Sequence, residues 1–209
     1  MNKPSLVASF GWGVLLVVLA GSIGAWAWDW VHQPAAAPLP VYSQVSDFSL
    51  IERSGRPFGL ADLKGRVWVA SFFFSQCTRL CPLTMPQLAR LQDSITEVVL
   101  VSITVDPQRD TPPVLAEFAE RFQAQPERWY FLTGDQPTIY ALSLHSFLMA
   151  VEEVPLYELT PGEDEFRHDG HFALVDRRAR VRGYYDPLDD EAMTRLRQDI
   201  PSLLQEKFP

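Results

Sequence analysis

Residues 67–82 have the sequence VWVASFFFSQCTRLCP and join an apolar run to the two cysteines of the chain, Cys77 and Cys81. The run from Val67 to Phe74 is almost wholly apolar, which is typical of a strand buried on both faces of a sheet. Pro82 suits the first turn of a following helix. A strand that ends in a two-cysteine loop opening a helix is the thioredoxin-like arrangement. The segment therefore predicts the centre of such a fold.

On either side of this segment, strand and helix signals alternate, which predicts an α/β thioredoxin-like fold with a central mixed sheet flanked by helices. The predicted strands are a short hairpin over 47–58, then 67–74, 98–105 and 129–132, and a hairpin of 172–176 with 181–185 whose turn is 177–180. The predicted helices are the cysteine segment continued by 83–91, then 111–122, 138–149 and a last helix that begins at 189–191.

Prolines and capping residues mark the ends of these helices. Thr111 predicts a capping hydroxyl for the helix that Pro112 opens, and Asp110 is expected to cap the same helix. Because proline lacks a backbone N–H, Pro86 predicts a kink or a later start of the cysteine helix. For the same reason Pro201 predicts an interruption of the last helix.

The amino-terminal residues predict a membrane anchor, because no charged side chain occurs from Pro4 through Trp28. These 25 positions would form a helix about 37 Å long, against a hydrocarbon core of roughly 30 Å. The run ends in Trp26, Trp28 and Trp30, which suit an interfacial aromatic belt, whereas a cleaved signal peptide, the alternative, ends at small residues. We therefore predict one uncleaved transmembrane helix over 1–30, a Pro/Ala-rich tether over 31–46 and one domain over 47–209.

Charge and cysteine content limit the compartment in which the domain lies and the classes of partner that it can bind. Lys3 favours a cytoplasmic amino end, which puts the domain on the periplasmic or equivalent outer side of a cytoplasmic membrane crossed once. The chain carries a net charge of −8, or −9 without Lys3, and an acidic domain argues against nucleic acid as a partner. Two cysteines exclude a multi-bridge disulfide scaffold. The acidic segment 152–165 predicts either a solvated surface or one that attracts a metal cation or a basic partner.

The cysteine spacing leaves two chemistries open. Three residues separate Cys77 from Cys81, whereas the thioredoxin redox motif has two, and this spacing permits either a disulfide or two thiolates that face one ion. A helix amino terminus stabilises the thiolate that both chemistries need. A third ligand to two thiolates should be a nitrogen donor from a distant segment, and copper accepts both donor types. The candidates are the four histidines of the chain: His32, His145, His168 and His171.

From about Asp47 onward, the chain resembles the Sco/SenC family of thioredoxin-fold copper chaperones for cytochrome c oxidase. The matching segments follow one another in the family's order, and the family also has an amino-terminal membrane anchor. They are DFSL at 47–50, GLADLKG at 59–65, FFSQC at 73–77 with Cys81-Pro82, VDPQRDTP at 105–112, and residues 168–185.

The resemblance implies a ligand set for one copper ion, Cu(I) or Cu(II). It makes Cys77 and Cys81 the thiolate ligands. The family's histidine ligand lies eight residues before the aspartate of its Leu-Val-Asp segment, and counting back from Asp176 gives His168. His171 is a neighbouring or substitute ligand in this register.

Three further positions matter for the local shape of the site. Asp106 matches a family aspartate near the copper, although a carboxylate closing a strand-to-helix turn is an equal alternative. His168 is followed by Asp169-Gly170 where small hydroxyl residues are expected. Ala179 stands where a glycine is common in the last hairpin turn, so the turn type stays open.

The function that the resemblance implies is that of a membrane-anchored copper metallochaperone, with a copper-accepting oxidase subunit as its partner. The main alternative is a periplasmic thiol-disulfide oxidoreductase in which Cys77 attacks and Cys81 resolves, reducing the acceptor's cysteines. A peroxide-reducing enzyme and a redox or copper sensor are further alternatives. His168 distinguishes them, because disulfide exchange needs no distant imidazole.

Overall fold

The computed structural model describes residues 38–155, 157–160 and 163–208, and near the amino terminus residues 19, 21–24 and 28. Most of the predicted anchor over 1–30, the tether up to residue 37 and His32 lie outside the described residues. Within the described part of the chain, no helix combines the length and the apolar character needed to cross a membrane.

A mixed sheet of eight strands forms the centre of residues 39–208. The order across the sheet is β1-β10-β9-β4-β5-β6-β2-β3, and β7 pairs with β8 in a separate two-stranded sheet. The strands are β1 (Ser43–Gln44), β2 (Ser49–Glu52), β3 (Pro57–Gly59), β4 (Trp68–Phe73), β5 (Val99–Thr104), β6 (Trp129–Thr133), β7 (Val151–Glu153), β8 (Phe166–His168), β9 (Phe172–Val175) and β10 (Arg180–Tyr185).

Four α-helices accompany the sheet in the described residues. They are α1 (Cys81–Ser94), α2 (Pro112–Arg121), α3 (Gln136–Ala141), which continues as a π-helical turn over Leu142–Ser146, and α4 (Asp190–Gln205). A short 3₁₀ turn covers Leu60–Leu63. The alternation of helices with a mixed sheet confirms the predicted α/β class.

The central strands are apolar because they are buried on both faces. Every residue of β4 and of β5 is buried, as the runs of apolar residues predicted. The two serines of these strands satisfy one another, since Ser71 Oγ lies 2.9 Å from Ser102 Oγ, and Trp129 Nε1 donates to Ser102 Oγ at 2.9 Å.

The sheet topology brings distant segments of the chain to one edge. Strands β4 and β5 are parallel, with Phe73 beside Thr104, so the residues that follow them, Cys77 and Asp106, emerge at the same edge. Strand β9 is antiparallel to β4, with Ala70 beside Ala173. The residues just before β9, which include His168, therefore reach that edge as well.

Both helix prolines lie inside their helices. Helix α1 begins at Cys81 and includes Pro86, so of the two alternatives predicted for Pro86 the later start is wrong. Helix α4 runs through Pro201 to Gln205, so the predicted interruption is also wrong. Pro201 removes one backbone hydrogen bond, but the buried side chains of Ile200 and Leu203 on either side hold the last turn in place.

One helix start and one predicted capping bond also differ from their predictions. The helix predicted over 138–149 begins at Gln136, because the Asp135 side chain accepts a hydrogen bond from Thr138 N at 3.1 Å, and its helical turns end at Ser146. Thr111 is the residue before α2, but its hydroxyl makes no capping bond.

Asp110 does not cap α2 as predicted. Its carboxylate is fully buried and accepts hydrogen bonds from Ser75 N at 3.0 Å, from Ser75 Oγ and from Thr104 Oγ1. It therefore ties the end of β4, just before the cysteine loop, to the end of β5.

The last hairpin turn lies close to its predicted position. Ala179 N donates to Asp176 O at 2.9 Å, and Ala179 has a φ of 59°. This is the left-handed conformation that glycine adopts most easily, which explains why a glycine is common there.

Leu39 and Pro40, in the segment before β1, are held by a buried arginine. Arg182 Nη2 donates to Leu39 O at 2.6 Å and Nε donates to Pro40 O at 2.9 Å. The same guanidinium pairs with Asp176 at 2.8 Å and with Glu206 at 2.9 Å. Arg182 thereby joins both ends of the domain to the last hairpin.

Candidate metal centre

Three of the predicted site residues come together at the edge where β4 ends. One ligand atom each from Cys77, Cys81 and His168 lies within 4.8 Å of the others. Both cysteines are buried and unbridged. Within the described residues this is the one group of histidine, cysteine and carboxylate side chains close enough to hold a metal ion.

The cysteine loop is shaped by backbone hydrogen bonds at the start of α1. Cys77 N donates to Phe74 O at 3.2 Å, which turns the chain sharply after β4. Cys81 N then donates to Cys77 Sγ at 3.2 Å. The amino terminus of α1 thus faces the first sulfur, where a negative charge is favoured.

The pKa values of the two thiols are shifted in opposite directions. A hydrogen bond from the Cys81 side chain, together with the backbone N–H groups of the loop, lowers the pKa of Cys77 to about 5 although burial opposes the shift. The pKa of Cys81 is raised by that shared hydrogen bond and by burial. Cys77 is therefore the thiolate of the pair, and Cys81 the thiol that stabilises it.

His168 reaches the cysteines on an arm that we define as residues 151–168. The arm is a hairpin in which β7 and β8 pair antiparallel, with Val151 opposite His168. His168 Nδ1 lies 3.2 Å from Asp169 O, which places the proton on Nδ1 and leaves the lone pair on Nε2. Nε2 is buried and has no hydrogen-bond partner. A buried polar atom without a partner costs about 1–3 kcal/mol, so this nitrogen is placed for a ligand.

The secondary candidates lie outside the three-donor group. His171 is half-exposed, and its Nδ1 lies 2.6 Å from Asp169 Oδ1. His145 is exposed in the π-helical turn. Asp106 is buried, and burial raises its pKa. Its Oδ2 lies 2.5 Å from Arg109 Nε, so the charge of Asp106 faces an arginine.

Arg109 also ties the arm to the sheet. Beyond its contact with Asp106, it forms an ion pair with Glu165, and its guanidinium lies 5.9 Å from the Phe166 ring. The hydrogen bond to Arg109 lowers the pKa of Glu165. The arm is therefore fixed to the end of β5 three residues before the histidine.

The sequence analysis missed one residue of the site, Asp164. Its Oδ1 accepts hydrogen bonds from Thr78 N at 3.0 Å and from Thr78 Oγ1 at 2.8 Å, and its Oδ2 lies 3.6 Å from Cys77 Sγ. Burial raises the pKa of Asp164, but these hydrogen bonds outweigh it and the pKa is lowered overall. The available signal was the acidic segment 152–165, which singles out no member.

A cleft of about 460 Å³ opens onto the site. Its floor includes Cys77 and His168, and a Cβ atom on Gly170 would lie 2.5 Å from Leu80 Cδ2. The glycine therefore lets the chain after the arm approach the cysteine loop closely. The cleft is lined by Cys77, Arg79, Leu80, Leu83, Glu163, Asp164, Phe166, Arg167 and His168.

The donor set permits the two chemistries that the sequence left open. Two thiolates and a neutral imidazole suit a soft ion such as Cu(I), and imidazole also suits Cu(II). The same two sulfurs are close enough to exchange with a disulfide. The unpartnered Nε2 of His168 is used only by the first chemistry.

Comparison with known proteins identifies the family. The family model SCO1/SenC matches residues 37–205. The chain belongs to the SCO1/SenC family. This confirms the resemblance found in the sequence. The chain is 30% identical over 168 residues to the SCO1 protein homolog of Bacillus subtilis, covering 78% of this chain and 84% of that protein.

Solved structures of SCO1/SenC proteins share the fold. A SCO1/SenC family lipoprotein from Bacillus anthracis is 30% identical, with a TM-score of 0.70 over 78% of this chain and 96% of its own. BsSco, a member of the Sco family of cytochrome c oxidase assembly proteins, is 28% identical, with a TM-score of 0.68 over 82% of this chain and 100% of its own. The predicted thioredoxin-like fold of this family is thereby confirmed.

Proposed function

We propose that this SCO1/SenC protein is a membrane-anchored copper chaperone. It holds one copper ion through Cys77, Cys81 and His168 and delivers it to a copper centre of cytochrome c oxidase. The observation that carries the proposal is that His168 offers a ring nitrogen within 4.8 Å of both cysteine sulfurs, while its buried Nε2 has no hydrogen-bond partner. A nitrogen lone pair without a hydrogen bond, beside two thiols, fits a metal ion better than a disulfide reaction.

The charge of the three donors supports copper as the cargo. Two thiolates and a neutral imidazole leave a site charge of −1 with Cu(I) and of zero with Cu(II). The occupied site is therefore nearly neutral with either ion. Relatives support the same cargo: a Stutzerimonas stutzeri protein 28% identical over 200 residues is named as a candidate copper-binding protein. BsSco is described as a cytochrome c oxidase assembly protein, which supports an oxidase subunit as acceptor.

Transfer would proceed by ligand exchange from the cleft side of the site. Cys77 and His168 line the cleft, whereas Cys81 does not and is only 2% exposed. An acceptor thiolate would therefore displace His168 or Cys77 first, while Cys81 holds the ion until the last exchange.

Membrane anchoring and an outer location complete the proposal. They are supported by the uncharged run from Pro4 through Trp28 and the tryptophans that end it. An anchor would confine the domain near a membrane-bound acceptor and raise its effective concentration. Membrane fractionation and protease treatment of intact spheroplasts test this part. Recovery of the protein in the soluble fraction, or its protection from protease, would contradict it.

The test of the copper site is an anaerobic Cu(I) competition titration of the reduced chain. We expect wild type to bind one ion and Cys77→Ser to lose tight binding. His168→Ala should weaken binding by at least tenfold, because it removes one of three ligands. His171→Ala is the matched control, since it removes an imidazole three residues away that lies outside the donor group. Unchanged binding in Cys77→Ser or His168→Ala, or a larger loss in His171→Ala, would refute the ligand assignment.

A second function, thiol-disulfide reduction of the acceptor's cysteines, is favoured by the asymmetry of the two thiols. Cys77 has a pKa of about 5 and is the attacking thiolate in this scheme. Cys81 then attacks the mixed disulfide and releases two reduced acceptor thiols as the Cys77–Cys81 disulfide forms. BsSco is described as having a disulfide switch. The substrate of the test is a peptide with a disulfide between two cysteines. If His168→Ala reduces it at the wild-type rate, this second activity is supported. If wild type does not reduce it, the activity is excluded.

A further inference from the structure

Four arginines line one cleft away from the metal centre, and we call it the basic cleft. It has a volume of about 930 Å³. Its four positive and two negative side chains give a charge of +2, or of +1 with Asp62, which pairs with Arg56 from outside the lining. The whole chain carries −8, so the cleft concentrates positive charge on an acidic protein. The charged lining residues are Arg53, Arg56, Arg66, Arg128, Glu52 and Glu127.

The basic cleft lies at the end of the sheet opposite the cysteines. Strands β4, β5 and β6 are parallel. Arg66 comes just before β4 and Arg128 just before β6, where these strands begin, whereas Cys77 follows the end of β4. The six residues of β4 span about 20 Å. A ligand in the basic cleft is therefore separate from the copper site.

Two of the four arginines have no carboxylate partner among the described residues. Arg66 Nη2 donates to the backbone oxygen of Glu127 at 3.3 Å. Arg128 Nη2 donates to the backbone oxygens of Gln92 at 2.6 Å and of Ile95 at 2.9 Å. These neutral oxygens hold the guanidinium groups in place without cancelling their charge. The uncompensated charge points to an anion from outside the chain.

The other two arginines add further hydrogen-bond donors. Arg53 and Arg56 each use one terminal nitrogen within the protein, toward Ala124 O and Asp62 Oδ1. The second terminal nitrogen of each, like that of Arg66, makes no hydrogen bond within the described part of the chain. The Arg56 guanidinium also lies over an aromatic ring, 5.1 Å from the centre of Phe58. Such guanidinium groups match the oxygens of a phosphate, which accept paired N–H groups.

We propose that the basic cleft is a phosphate-binding site. Arg56 and Arg66 donate to the phosphate oxygens, while Arg53 and Arg128 supply further positive charge. A phosphate accepts from several guanidinium groups at once, because it presents more oxygens than a carboxylate does. The cleft is several times larger than a phosphate ion, so a phosphate that carries an organic group also fits. The ligand is the headgroup of an anionic phospholipid or a phosphate in solution, and two experiments distinguish these sources.

The first experiment titrates inorganic phosphate into the full chain in a neutral detergent, followed by calorimetry at low ionic strength. It compares wild type with Arg56→Gln and Arg66→Gln. The matched control is Arg121→Gln, outside the cleft. Like Arg56, Arg121 is exposed, pairs with one carboxylate, Glu117, at 2.9 Å, and lies over a ring, 5.7 Å from the centre of Phe118.

We expect Arg56→Gln and Arg66→Gln each to weaken phosphate binding about 3- to 10-fold, because each removes a charged donor. Arg121→Gln should leave it unchanged. Glu127→Gln removes a carboxylate that lines the cleft, so it should strengthen binding about 2- to 4-fold. A loss of folded protein cannot produce a stronger site, so this variant keeps the test decisive even if an arginine variant is unstable.

The second experiment measures hydrogen exchange of the full chain on bilayers of phosphatidylcholine, with or without phosphatidylglycerol. Protection of residues 53–56 and 126–128 on the anionic bilayer alone, lost in Arg56→Gln, assigns a phospholipid headgroup. Phosphate binding in solution without this protection assigns a free phosphate.

Three results would overturn the phosphate site. One is the absence of both phosphate binding and protection on the anionic bilayer. Another is an equal loss in Arg121→Gln and Arg56→Gln, and the third is weaker binding in Glu127→Gln. None of them affects the proposed copper function, because the basic cleft shares no residue with the metal centre.

Discussion

Replacing Arg182 with methionine should destabilise the domain strongly, because its guanidinium is buried and fully engaged. The side chain is 2% exposed and pairs with Asp176 and Glu206 while donating to two carbonyl oxygens before β1. Removing one partner of a buried ion pair costs about 3–5 kcal/mol. Asp176 keeps a second partner in Arg180, at 2.7 Å, so we expect about 3 kcal/mol. For a domain of this size this lowers Tm by about 6–12 °C.

Urea and thermal unfolding of the metal-free chain, followed by tryptophan fluorescence, measure this loss. The matched control is Arg180→Met, which removes the other arginine on Asp176. The Arg180 side chain is 28% exposed, so its loss should cost about 1 kcal/mol or less. Equal losses in the two variants, or a loss below about 1 kcal/mol in Arg182→Met, would refute the assignment of Arg182 as the tie between the two ends of the domain.

Three further predictions concern the site and its arm. Cys77 should react with iodoacetamide at a constant rate above about pH 6 and lose reactivity as pH falls through its pKa of about 5. Cys81→Ala removes the main stabilising hydrogen bond and should move that midpoint upward, whereas an unmoved midpoint contradicts the account of the pair. Glu165→Gln breaks the ion pair with Arg109 and should speed copper release about 10-fold by loosening the arm, measured by chelator capture, whereas release at the wild-type rate would show that the arm needs no such tie. Ala179→Gly relieves a left-handed φ of 59° and should raise the free energy of unfolding by up to about 1 kcal/mol, so a destabilised variant would contradict that strain.

Much of the sheet could be predicted from local sequence because burial on both faces leaves an apolar run. The strands β4 and β5 were recognised in this way, and the cysteine loop followed from its position after β4. Pro201 was misjudged because a local rule was applied without the burial of the neighbouring side chains. Ile200 and Leu203 show the difference, since their packing holds the turn that Pro201 weakens.

The arm could not be predicted, because its strands are three residues each and are flanked by acidic residues without periodicity. Its shape depends on contacts with distant parts of the chain, such as the one between Asp164 and Cys77, which are 87 positions apart. Local patterns carry no information about such contacts. His168 was identified through the family register, while Asp164 had no register to identify it.

The position of β9 in the sheet has a consequence for how the protein is made. This strand is one of the last to be synthesised, yet it lies between β10 and β4, beside the strand that leads into the cysteine loop. A nascent chain that ends before residue 166 already has both sulfurs but lacks the imidazole and the strand that closes the sheet beside them. The complete three-donor group is therefore reserved for a finished domain, and a product truncated before residue 166 has only the two sulfurs to offer a copper ion.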